Sequence, residues 1–124
     1  MKTYTYQDTK VYLKFRGRYS LNNTPCIEMI TEEGFPYMTV TVAMEQHDPI
    51  SIAEVCIKNY SENEGVYEWL VENKIIVPMN VNITSGFISA PLANIVDKDL
   101  LMQMGIDIDN AEHFDVNVEP IGPF

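Results

Sequence analysis

Positive charge is scarce in this 124-residue chain, and most of it lies at one end. Beyond Arg18 only Lys58, Lys74 and Lys98 remain, against seventeen acids, so residues 19–124 carry a net −14. Residues 1–18 hold Lys2, Lys10, Lys14, Arg16 and Arg18 against Asp8, a net +4, and the whole chain carries −10. Such a surface repels polyanions everywhere except at one basic corner. Long apolar runs are missing too. None approaches the roughly 18 residues that span a bilayer, and MKTYTYQDTK has no apolar segment of the secretory kind. The expectation is a soluble, cytoplasmic protein with no membrane partner.

Cysteine is limited to Cys26 and Cys56, in neither a CxxC pair nor a metal-ligand spacing. Both sit in apolar stretches, PCIEMI and AEVCIK, where a buried inert thiol is the usual outcome. There is no P-loop and no G-x-G-x-x-G, and Ser85 lies in TSGF rather than in a G-x-S-x-G elbow. Asp107-x-Asp109 opens like a calcium loop, but Glu112 stands where glycine is needed and Val118 where glutamate is needed. The pairs Asp97/Asp99 and Asp107/Asp109 lack a third ligand, so no metal and no cofactor are expected. His47–Asp48 is the one adjacent histidine–carboxylate pair, and neighbouring residues do not readily face one another. A non-enzymatic protein is therefore expected. A metal-dependent enzyme with a composite site stays as an alternative, because catalytic groups need not be close in sequence.

What is present reads as an α+β fold. Apolar content of 46% with 21% charged residues fits one globular domain. Residues 3–6 and 10–18 read as strands; Val11, Leu13 and Phe15 alternate with Lys10, Tyr12, Lys14 and Arg16, which places the two sets on opposite faces. Pro25 starts the next strand at 26–31, the turn Glu32–Glu33–Gly34 leads to a strand at 37–44, and a strand at 52–58 follows the polar loop EQHDP. The period then changes. Ser61 and Glu64 match a capping box, after which Val66, Tyr67, Trp69, Leu70 and Val71 share one helical face and Glu64, Glu68 and Glu72 the other. Strands at 80–83 and 87–90 flank the turn Thr84–Ser85–Gly86, Asp97 caps a short helix ending at Gly105, and 114–118 alternates as a last edge strand. The expected architecture is a mostly antiparallel β-sheet with one amphipathic helix packed on it and a short C-terminal helix. Residues 1–96 form the core, and residues 97–124 a short helix plus an acidic extension of the same domain.

The segment IKNYSENEGVYEWLVENKIIVP, followed by SGFISAP, resembles a small domain-of-unknown-function family of bacteria, phages and conjugative elements, with its K-[DN]-Y-S-E-N-E-G and S-G-F motifs. The likeness covers roughly residues 3–95. It implies a mobile-element setting, where small acidic proteins bind host machinery, and it carries no activity. Asn63 and Gly65 belong to the motif, and a glycine in a first helical turn, at Gly65, implies either a close backbone approach or a contact site.

Two surfaces compete for the function. One is acidic: Glu62, Glu64, Glu68 and Glu72, joined by the tail acids Asp107, Asp109, Glu112 and Asp115, set to bind a protein partner of the anti-restriction or anti-CRISPR kind. Plain solvation of a helix face is the simpler account of the same glutamates, since exposed charge is usually only that. The other is the basic strand Lys10, Tyr12, Lys14, Arg16 and Arg18, which would serve a nucleic-acid-binding accessory through phosphate contacts and stacking on Tyr12. The pattern sets no oligomeric state, although an edge strand near the C-terminus offers a pairing surface.

Overall fold

The computed structural model describes residues 2–106. Their order is β1 (Tyr4–Tyr6), β2 (Thr9–Arg18), β3 (Pro25–Thr31), β4 (Pro36–Thr39), β5 (Thr41–Val42), β6 (Glu54–Ile57), a 3₁₀ turn (Ser61–Asn63), α1 (Val66–Glu72), β7 (Ile76–Ser85), β8 (Ile88–Ile95) and α2 (Lys98–Gln103). This is the expected α+β class, with antiparallel strands and two short helices. The expected strand at 114–118, the Asp107/Asp109 pair and the tail acids Asp107, Asp109, Glu112 and Asp115 lie outside the described residues.

The strands divide into two four-stranded sheets, ordered β1-β2-β3-β4 and β5-β6-β8-β7. A single strand was expected over 37–44; it splits at Val40 instead. The Val40 N–H donates to Ile27 O in the first sheet at 3.0 Å, and its carbonyl accepts from Lys58 N in the second at 2.8 Å. One continuous segment thus passes from sheet to sheet. The side-chain period cannot register that change, because both halves remain extended.

The two sheets enclose one core. Val11 and Leu13 of β2, Ile27 and Met29 of β3, Val55 and Ile57 of β6 and Ala93 and Ile95 of β8 meet there with Val66 and Leu70 of α1. Leu100 and Leu101 of α2 join the same cluster. Burying each such side chain contributes roughly 1.5–3 kcal/mol. Trp69 ties α1 to β1: its indole Nε1 donates to Thr5 O at 2.8 Å, and Tyr4 and Tyr6 meet its ring edge-on at 5.7 and 5.2 Å.

α2 follows its expected boundaries closely. Asp97 accepts from Leu100 N at 3.1 Å, and Gly105 takes the positive φ of 80° that ends the helix. From α2, Gln103 serves β2 as a substitute strand: its side-chain amide accepts from Phe15 N at 2.8 Å and donates to Leu13 O at 3.0 Å. β1 pairs only with Thr9, Lys10 and Val11, so those two peptide groups need another partner.

Candidate functional site

The SENEG segment is organised to start a helix, though not by the expected capping box. Ser61 and Glu64 belong to and follow the 3₁₀ turn, and the N-cap of α1 is Gly65. The cap acceptor is Asn59, whose Oδ1 takes the N–H groups of Gly65 and Tyr67, each at 3.0 Å. Those are two of the donors that a helix start leaves unpaired. Gly65 stands at φ 98°, a conformation that side chains with a Cβ resist, and no atom lies within 4 Å of where its Cβ would be. Conformation therefore explains this glycine, and the expected close approach does not. Asn63 is fully buried and donates to Thr39 O at 2.7 Å, fastening the turn beside the corner between the sheets.

Glu62, Glu64, Glu68 and Glu72 are all exposed. They do not form one helical stripe, because Glu64 precedes Gly65 and only Glu68 and Glu72 lie within α1. Glu62 pairs with Lys58 at 3.1 Å. Its own backbone N–H, and then Lys58, hold its carboxyl below the usual range. Among the described residues, Glu64, Glu68 and Glu72 have no ion pair and no side-chain hydrogen bond.

The basic strand is thinned by its neighbours. Lys10, Tyr12, Lys14 and Arg16 share the outer face, but Arg16 pairs with Glu28 at 3.4 Å. Arg18 is not on that face. A register shift between Phe15 and Arg18 sets it opposite Pro25, and its guanidinium donates to Asn23 O at 2.9 Å and Ile52 O at 3.0 Å. A bulge of this kind reverses the alternation from which the face was read. Lys2 pairs with Asp97 at 3.3 Å. Asp97 also accepts from Tyr4 Oη at 2.7 Å and caps α2; burial, and then this hydrogen bond, raise the Tyr4 pKa. Asp97 is thereby filled by protein donors, and Asp99 accepts from Gln103 at 3.1 Å, so that pair presents no free ligand set.

A third cluster was not foreseen. Residues 43–53 fold across the outer face of the second sheet, held by Asn22 through the carbonyls of Met44 and His47 and by Arg18 through Ile52. His47 is thereby buried against β6. Its Nε2 lies 2.5 Å from Glu54 Oε2, and its Nδ1 lies 3.5 Å from Cys56 Sγ. The partner of His47 is thus Glu54 rather than the adjacent Asp48. Burial pushes the Cys56 thiol up to about 12. A nucleophile, a base and an orienting carboxylate in a row is the arrangement of nucleophilic catalysis. Here Cys56 is 0% exposed, His47 4% and Glu54 2%, so no substrate reaches the sulfur. Glutamate and cysteine occupy opposite nitrogens of the ring and share no metal position, and no metal-ligand group of three occurs among the described residues. The signal for this cluster was Glu54 itself, a charge inside the apolar run AEVCI whose period places it beside Cys56.

No helix among the described residues is long and apolar enough to cross a membrane. No protein-family model, curated protein or solved structure matches this chain.

Proposed function

We propose that this chain is a non-enzymatic binding protein that engages a basic protein partner through its acidic surface. The sharpest form of the proposal is an inhibitor of a host nucleic-acid-processing or defence protein, acting from a phage or mobile element. One observation carries the reading: Glu64, Glu68 and Glu72 stand exposed in one short segment without a neutralising partner among the described residues. Like charges four residues apart cost a helix a few tenths of a kcal/mol, so the arrangement favours contact with a cationic surface over the stability of α1. The surrounding motif residues already have structural duties, with Asn59 and Gly65 starting the helix and Asn63 anchoring it. The glutamates are what remains of the segment for an outside partner.

The nucleic-acid reading draws less support. Of the five bases in the first 18 residues, Lys2, Arg16 and Arg18 bind groups of the protein itself, which leaves Lys10 and Lys14. Two contacts give weak, steeply salt-dependent phosphate binding at best.

The test is capture from host lysate by the wild type and by a Glu64→Lys/Glu68→Lys/Glu72→Lys variant that circular dichroism shows to be folded. The proposal expects a nucleic-acid-processing protein held by the wild type, displaced by competing duplex DNA and lost in the variant. The same partners on both proteins, or none on either, would sink it.

A further inference from the structure

The buried row of Cys56, His47 and Glu54 gives no access to a substrate, yet its layout is that of a metal ligand and its support. A metal-bound imidazole almost always gives its second ring nitrogen to a carboxylate or carbonyl, which fixes the ring and raises its basicity. His47 has that arrangement, with Nε2 on Glu54 Oε2 at 2.5 Å and Nδ1 turned to Cys56 Sγ at 3.5 Å. An ion held at about 2.0–2.1 Å by nitrogen and about 2.3 Å by sulfur keeps the two donors about 3.5–3.8 Å apart at tetrahedral to trigonal angles. The spacing of Nδ1 and Sγ falls at the lower end of that range.

The surroundings supply more sulfur. Cys56 packs with Met44, Ala90 and Leu92 in a small buried cluster apart from the main core, and Met79 lies against it. Met44 stands two residues beyond Val42, the cross-strand partner of Cys56. Met44 and His47 close one tight turn, in which His47 N donates to Met44 O at 3.0 Å. Asn22 Nδ2 donates to the carbonyls of both. One fastened turn thus gathers thioether and imidazole over the thiol of β6.

We infer that Cys56 Sγ and His47 Nδ1, with the Met44 thioether as third donor, form a site for a soft monovalent cation, Cu(I), with Glu54 orienting the ring from its far side. Donor chemistry selects this ion, because thiolate and thioether ligands favour soft cations of the copper(I) kind. Among the described residues no further histidine, cysteine or carboxylate joins the pair, so the four-ligand shell of structural zinc is not met. Charge agrees. One thiolate and one monovalent ion sum to zero inside an apolar cluster, where an uncompensated charge is costly. Binding breaks the S–H bond, forms an S–Cu bond and sends the proton to solvent, with no change of oxidation state. The ion enters as residues 43–53 lift from the sheet, since Met44 and His47 both ride on that segment. The site is separate from the acidic surface of α1, and it stands or falls independently of that proposal.

Anaerobic titration of the purified chain with Cu(I), in competition with a chromogenic Cu(I) chelator, is the test. The wild type is expected to take one ion per chain. Cys26→Ser, which removes the other, half-buried thiol, is expected to do the same. Cys56→Ala should lose the ion to the chelator. Met44→Leu keeps the side-chain volume and should bind more weakly by about 10-fold or more, the scale on which metal sites respond to one altered support. Circular dichroism checks that each variant is folded, and histidine-ring NMR of the loaded wild type should show a coordinated Nδ1. A wild type that takes no ion overturns the inference. Copper held equally well by Cys56→Ala or Met44→Leu, copper lost in Cys26→Ser, or a loaded chain without a coordinated histidine nitrogen overturns it as well.

Discussion

Removing the carboxylate from Glu54 while leaving His47 in place is the sharpest perturbation that the buried cluster offers. In Glu54→Leu the imidazole stays enclosed by residues 43–53 and β6, 4% exposed, with its Nε2 facing a methyl group instead of Oε2 at 2.5 Å. Breaking one side of a buried pair in this way costs about 3–5 kcal/mol, because the survivor keeps its desolvation penalty without a partner. His47→Leu alone strands Glu54 in the same way and should cost a similar amount. Replacing both by leucine removes both penalties, and the double variant should lie within about 1–2 kcal/mol of the wild type. The double change would then fall short of the summed single changes by at least about 3 kcal/mol, a coupling far above ordinary additivity error. Urea unfolding followed through the one tryptophan, Trp69, reads this directly. With a slope near 1.5 kcal/mol per molar urea, each single substitution should move the midpoint by about 2 M or more at unchanged slope. A single variant within about 1 kcal/mol of the wild type would refute the buried-pair reasoning, given the usual range of such penalties. A double variant as unstable as either single would show that loop packing, and not the pairing, carries the stability.

The helix start supplies a second expectation. Asn59→Ala should cost about 1–2 kcal/mol through loss of its two cap hydrogen bonds, whereas Ser61→Ala and Glu64→Ala should change stability by under about 0.5 kcal/mol, all read by thermal or urea unfolding. The third concerns alkaline pH. The folded Cys56 thiol holds its proton up to about 12 against an ordinary value of 9.0, and Tyr19, also raised by burial, up to about 12 against 10.0. Between those limits the unfolded chain binds fewer protons than the folded one. Stability is therefore full below about pH 9 and falls above it, by up to about 1.4 kcal/mol per pH unit for each group. Cys56→Ala should flatten part of that fall in unfolding curves taken from about pH 8 to pH 11.

Local pattern was enough for several elements. Alternation in residues 10–16 marked the faces of β2 because strand side chains alternate whatever the strand packs against. The apolar face of Val66 and Leu70 marked α1, and Asp97 with Gly105 marked both ends of α2, since a cap and its helix are neighbours in the chain. The antiparallel α+β class followed from those signals together. The glutamates at 62, 64, 68 and 72 were legible as exposed charge, but not as two groups separated by a left-handed glycine.

What tertiary structure alone decided has one common cause: the partner that settles each case lies elsewhere in the chain. Asn59 displaced Ser61 as the cap because a 3₁₀ turn fastened to Thr39 brought its carbonyl over the helix start. Arg18 left the basic face because a bulge shifted it by one register against β3 and Ile52 O was there to receive it. His47 found Glu54 and Cys56 because Asn22 and Arg18 draw the intervening loop onto the sheet. Sequence by itself determined which residues are apolar, which are charged and with what period they repeat. The fold determined which charges are answered within the protein and which stay exposed, because a charge is neutralised by distance in space and not by distance along the chain.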